Sequence, residues 1–175
     1  ITYSLIVVLC FVLLQSCSLQ FKEEIALVED LQEKLLANRE NIDLDATDFK
    51  ARVDEIKMNT SFLKVNYTDS ISLEFGNQMD KYRGLKKIYQ FQSGTLSECQ
   101  KEQEALEKQL DNLLHDLKKG KLSKEEFKTY YKKEKTDVEQ LLDKSKNIEK
   151  KLVEVEPEFR RISQWVYAEI EKLKD

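Results

Sequence analysis

The chain has a single histidine, His115, so a histidine-based zinc site or imidazole pair has no partner of its kind. A helix carrying both Cys99 and His115 would hold them about 24 Å apart at 1.5 Å per residue, too far for a nucleophile and its base. Gly-rich phosphate loops, CxxC and GxSxG are all missing. No catalytic residue, metal ligand or cofactor is therefore assigned, and the chain reads as a non-enzyme. Proline occurs once and glycine four times, which leaves little material for a loop-rich fold. A dominant charge is missing too. The 33 acidic and 29 basic residues are interspersed and leave a formal net charge of −4, which argues against a nucleic-acid surface.

What is present begins with an uncharged apolar run, Ile1 to Leu14. A helix needs about 20 residues to cross the ~30 Å hydrocarbon core, so this run is too short to span, but it suits the h-region of a signal peptide. It ends in Leu14-Gln15-Ser16-Cys17. This stretch resembles the lipobox of bacterial lipoproteins: an aliphatic residue three before the cysteine, a small residue just before it, then the cysteine. The resemblance implies cleavage between Ser16 and Cys17, a lipid on Cys17, and a membrane-anchored place in the bacterial envelope, at the outer membrane or cell surface. The initiator Met and basic n-region are absent, so a truncated reading frame is expected. The plain alternative is an ordinary signal peptide or signal anchor with Cys17 a simple thiol. If Cys10 leaves with the signal and Cys17 is lipidated, Cys99 has no partner for an internal disulfide. It then reads as a buried apolar residue or, less blandly, as an intermolecular or reactive thiol.

Beyond the signal the sequence is helical in pattern throughout. The expected layout is a signal peptide at 1–16, a lipidated cysteine and tether at 17–24, and one helical-bundle domain at 25–175. Apolar residues recur at 3-4 spacing from Phe21 to Tyr67, interrupted only by Gln32, Arg39 and Thr60. A second stripe runs from Phe75 to Leu117 with Gln92 and Gln103 as its polar members, and a third from Phe127 to Leu173 with Glu134 and Ser145. Asn38–Asp48 is a weak helix former, where Asp45 or Thr47 could cap a fresh helix. Asn66–Ser70 reads as a turn. Ser93-Gly94-Thr95 is the expected break in the second helix, because Thr95 and Glu98 form a capping-box pattern. Gly120 reads as a C-cap glycine and Ser123 with Glu126 as another capping box. Pro157 is expected to kink the third helix.

Three long segments of matched length predict an all-α fold: an elongated antiparallel three-helix bundle, or coiled-coil rod, with a frayed or kinked middle in the first helix. The alternative has four helices, the first segment folded back on a long hairpin. In the rod, Ile42 comes level with about Leu96. Anchoring at Cys17 brings the Gly120 turn near the membrane. Lys118, Lys119, Lys121, Lys124 and Lys128 around that turn are candidate lipid-facing residues, or a solvated hairpin. Tyr67, Phe75, Trp165, Val166 and Tyr167 fall at the far end, as a docking patch or as the plug of the core. The function expected is a non-enzymatic scaffold, spacer or adaptor with a protein partner or a second copy of itself. A membrane-shaping or lipid-binding module is the alternative, and a chaperone-like or inhibitor lipoprotein is further off.

Overall fold

The computed structural model describes residues 21–68 and 70–174. Leu14, Ser16 and Cys17 of the lipobox, and Asp69 of the first turn, lie outside them. Among the described residues there are four helices and no strand: α1 Lys22–Ile42, α2 Ala46–Asn66, α3 Leu73–Lys118 and α4 Lys124–Lys172. The all-α bundle expected from the sequence is what forms.

The first stripe is not one continuous helix. It stops at Ile42 and restarts at Ala46. Asp45 supplies the reason: its extended backbone ends the first run, and its carboxylate accepts a hydrogen bond from the Thr47 N–H at 2.8 Å, satisfying a donor that a new helix start leaves open. α1 begins at Lys22 with Phe21 already buried, so residues 22–24 are helical rather than tether.

The helices pack as two compact units. The first joins residues 21–40 to Lys101–Asp143. Here α1 runs antiparallel to α3, with Gln32 bonded to Asp111 and Asn38 to Gln103. The turn from α3 to α4 is closed by Gly120 at φ 64°, a left-handed conformation cheap only for glycine. The Lys121 N–H reaches the Asp116 carbonyl at 2.9 Å, giving the expected glycine C-cap. Ser123 and Glu126 then exchange hydrogen bonds, the expected capping box.

The second unit joins Asn41–Gln100 to residues 144–174. α2 runs antiparallel to α3, with the Gln100 amide donating to the Ile42 carbonyl at 3.0 Å, one turn from the pairing expected for Ile42. α4 runs antiparallel to α3, with Tyr82 level with Ser163 and Tyr89 with Glu156. So α1 packs on α3 and α4 within the first unit, and α2 packs on α3 and α4 within the second.

The expected break at Ser93–Thr95 does not occur. α3 continues through it, and Thr95 Oγ1 donates to the Phe91 carbonyl instead of capping a new helix. Tyr89, Leu96 and Cys99 are buried on either side, and that burial outweighs the roughly 1 kcal/mol that a helical glycine costs. Gly94 is exposed, and a Cβ added there meets nothing within 4 Å. Gly94→Ala should therefore raise stability by about 0.5–1 kcal/mol, read as a higher urea midpoint at unchanged slope. Gly84 is equally open and should behave alike. α4 likewise runs on through Pro157 without ending.

Candidate functional site

In the first unit, Val28, Leu31, Leu35 and Asn38 of α1 are buried, together with Phe21 just before it. The polar stripe members Gln32 and Arg39 face outward. Arg39 grips Glu107 with two hydrogen bonds, at 2.9 and 2.6 Å, and holds that carboxyl below the usual range with help from the Gln103 amide. Beneath it lies a buried polar layer. Gln103 donates to the Leu35 carbonyl and to Glu107, both at 2.7 Å, and accepts from Asn38 at 3.1 Å. Glu134 is also buried, with one carboxylate oxygen unbonded.

The five candidate lipid-facing lysines are exposed. Lys118 pairs with Glu29 at 3.5 Å, Lys121 with Asp116 at 2.9 Å and Lys124 with Glu24 at 3.8 Å. Lys119 and Lys128 have no ion pair among the described residues. The Lys124–Glu24 contact sets the Gly120 turn beside the start of α1, at one end of this unit. His115 is exposed, as befits a rim residue.

The second unit contains two interhelix clamps. In one, the Tyr82 hydroxyl accepts from Asn59 at 3.2 Å and meets Ser163 and Glu55, each at 3.3 Å, while Ser163 donates to Glu55 at 2.7 Å. Burial pushes the Tyr82 hydroxyl up to about 12. In the other, Glu156 accepts from Arg52 at 2.8 Å, Arg160 at 3.0 Å and Tyr89 at 2.8 Å. Burial raises the Glu156 carboxyl, but these three donors outweigh it and leave it below the ordinary range. Arg52 also lies 4.8 Å from the Phe159 ring centroid. Beside this clamp is a groove of about 410 Å³ lined by Leu44, Phe49, Leu152 and Val153 among others.

At the α2–α3 turn, Tyr67 stacks on Phe75 with centroids 4.2 Å apart, and Phe75 meets the edge of Trp165 at 5.3 Å. With Phe75 and Val166 buried, these aromatics plug the core, while Tyr167 points out. Large apolar side chains are offered to solvent on every helix, among them Leu36, Phe91 and Val153, and four of them, Met58, Val65, Ile71 and Leu73, fall between residues 58 and 73, exposed by 66, 77, 68 and 83%. Cys99 is fully buried. Among the described residues, no His, Cys, Asp or Glu cluster could hold a metal ion, and no helix is long and apolar enough to cross a membrane. The arrangement clamps helices together and leaves an apolar surface. Compared with known proteins, the chain matches no family model, no curated protein and no solved structure.

Proposed function

We propose that the chain is an envelope lipoprotein, tethered through Cys17, that works as a non-enzymatic helical adaptor for a protein partner. The observation that carries this reading is the exposed apolar group Met58, Val65, Ile71 and Leu73 on and just after a helix whose core face is already satisfied. Large apolar side chains left to solvent close together in the sequence of a well-packed domain are a candidate interaction surface. The charged clamps support the same reading, because they join one helix to another and so serve packing. The tether rests on Leu14-Gln15-Ser16-Cys17 after its apolar run. Cells grown with labelled palmitate should label the protein at Cys17, and Cys17→Ala should abolish the label. Equal labelling of the two proteins would end the lipoprotein reading.

A second reading, a lipid-surface-binding module, is favoured by one contact: Lys124 lies against Glu24, beside the start of α1, the end from which a tether through Cys17 would lead. The ion pairs of Lys118, Lys121 and Lys124 weaken it, since each lysine already has a counter-charge.

A further inference from the structure

Phe91 lies on the outer face of α3. It follows the buried Tyr89 by two residues, about 200° round the axis, and is 69% exposed. The same face carries Gly84, Lys87, Gly94 and Glu98, which with Phe91 follow the 3-4 spacing of a coiled-coil seam. All five belong to the second unit. A Cβ added at Gly84 or Gly94 meets nothing within 4 Å, so each glycine weakens α3 without making room for anything in its own chain. Among the described residues, Phe91 is the one large exposed apolar side chain set between them. Lys87 and Glu98 are exposed, and neither has an ion pair among the described residues.

We infer that this face of α3 pairs with the same face of a second copy of the chain, the two helices antiparallel about a twofold axis and Phe91 of each packed beside Gly94 of the other. An antiparallel seam sets the two kinds of seam position opposite each other, layer by layer. With Phe91 opposite Gly94, Lys87 stands opposite Glu98 of the second copy, and the twofold repeats both contacts. The face is therefore complementary to itself in shape and in charge. Other pairings are not. In a parallel pair Lys87 meets Lys87 and Glu98 meets Glu98. In an antiparallel pair slipped by one heptad, Phe91 meets Lys87 and Glu98 meets Asp80. Like charges set opposite one another disfavour both. Gly94 lets the two backbones approach closely enough for Phe91 to be covered. A contact confined to one helix face is smaller than a standard interface, so the dimer is weak and depends on concentration. It goes beyond the adaptor reading and leaves the group between Met58 and Leu73 free.

The test is sedimentation velocity of the full chain in a mild non-ionic detergent, run as a concentration series, which should show monomer in equilibrium with dimer. Phe91→Ala should raise the dissociation constant at least about tenfold. Lys87→Glu or Glu98→Lys alone sets like charges opposite each other at two places, and each should weaken the dimer by about tenfold. An equal mixture of these two variants should pair again, since every contact across the mixed dimer is then between opposite charges. The double variant, Lys87→Glu with Glu98→Lys, should return to within about threefold of the native constant. All three positions are exposed, so the circular dichroism of each variant should match the native chain. A protein that stays monomeric throughout overturns the inference. So does a dimer indifferent to Phe91→Ala, which association through Ile1–Leu14 or through Met58 and Val65 would give. So do charge reversals that have no effect, or whose effect is not recovered in the mixture. None of these outcomes touches palmitate labelling, so the tether stands or falls separately.

Discussion

Glu156→Ala should destabilise the second unit by about 2–3 kcal/mol, the largest single effect expected from any charged residue in it. The carboxylate receives three donors, and the one that matters most is Tyr89, whose side chain is 2% exposed. Without Glu156 that hydroxyl is buried with its bond lost, at about 1–3 kcal/mol. Arg52, a third exposed on its side chain, keeps some hydration, so its share is small. Arg160 is more open still and adds little. Glu156→Gln keeps an acceptor for Tyr89 and should cost less. It should also change the response to acid. The folded carboxyl of Glu156 lies below its ordinary value of 4.5, so its contribution is present above 4.5 and fades as pH falls through the lowered folded value. Thermal melts between about pH 5 and pH 3 should fall more steeply for the native protein than for Glu156→Gln. Parallel slopes would show that the carboxylate is not stabilised by its donors.

The second and third stripes were legible to nearly every residue, because long amphipathic helices bury one face and leave period 3.5 written in the chain. Of the second stripe only Gln92 escapes burial, and Gly120 with Ser123 marked the hairpin unambiguously. The first stripe was harder. Leu31 and Asn38, not Gln32 and Arg39, face the core. Leu35 and Leu36 are adjacent and apolar, as are Val28 and Leu27, so spacing alone admits either register. The end of α1 was visible as a weak stretch, but Asp45's cap decided where it falls. At Ser93–Thr95 a local pattern lost to burial on both sides. The clamps were not legible at all. Tyr82, Ser163, Glu55 and Asn59 meet only through the pairing of three helices, and no local spacing announces that. The exposure of Met58 and Val65 on α2 was hidden as well, since a helix apolar on two sides shows no preferred face.

Asn38 and Gln103 should show coupling: changing either alone is costly, and changing both costs less than the two changes added. Each is nearly inaccessible, at 1 and 3% exposure, and they meet at 3.1 Å between α1 and α3. Gln103→Leu leaves the Asn38 amide without that acceptor and the Leu35 carbonyl without a side-chain donor, for about 2–4 kcal/mol. Asn38→Leu frees only one bond of Gln103, whose donors still reach Leu35 and Glu107, so about 1–2 kcal/mol is expected. The double leucine variant replaces the pair by apolar contact, and its cost should fall short of the sum by about 1–2 kcal/mol. Urea unfolding of the four proteins measures that coupling directly, and additive costs would show that the two amides act separately. The polar layer has a second consequence. Flanked by Leu35, Leu106 and Leu110, it is matched only when Asn38 stands level with Gln103. A one-heptad slip would bury both amides against leucine. Polar seam residues select one register through that penalty, and an all-leucine seam removes it. The double variant should therefore stay folded while broadening its unfolding transition or gaining self-association in sedimentation, the mark of a bundle that no longer specifies a single pairing.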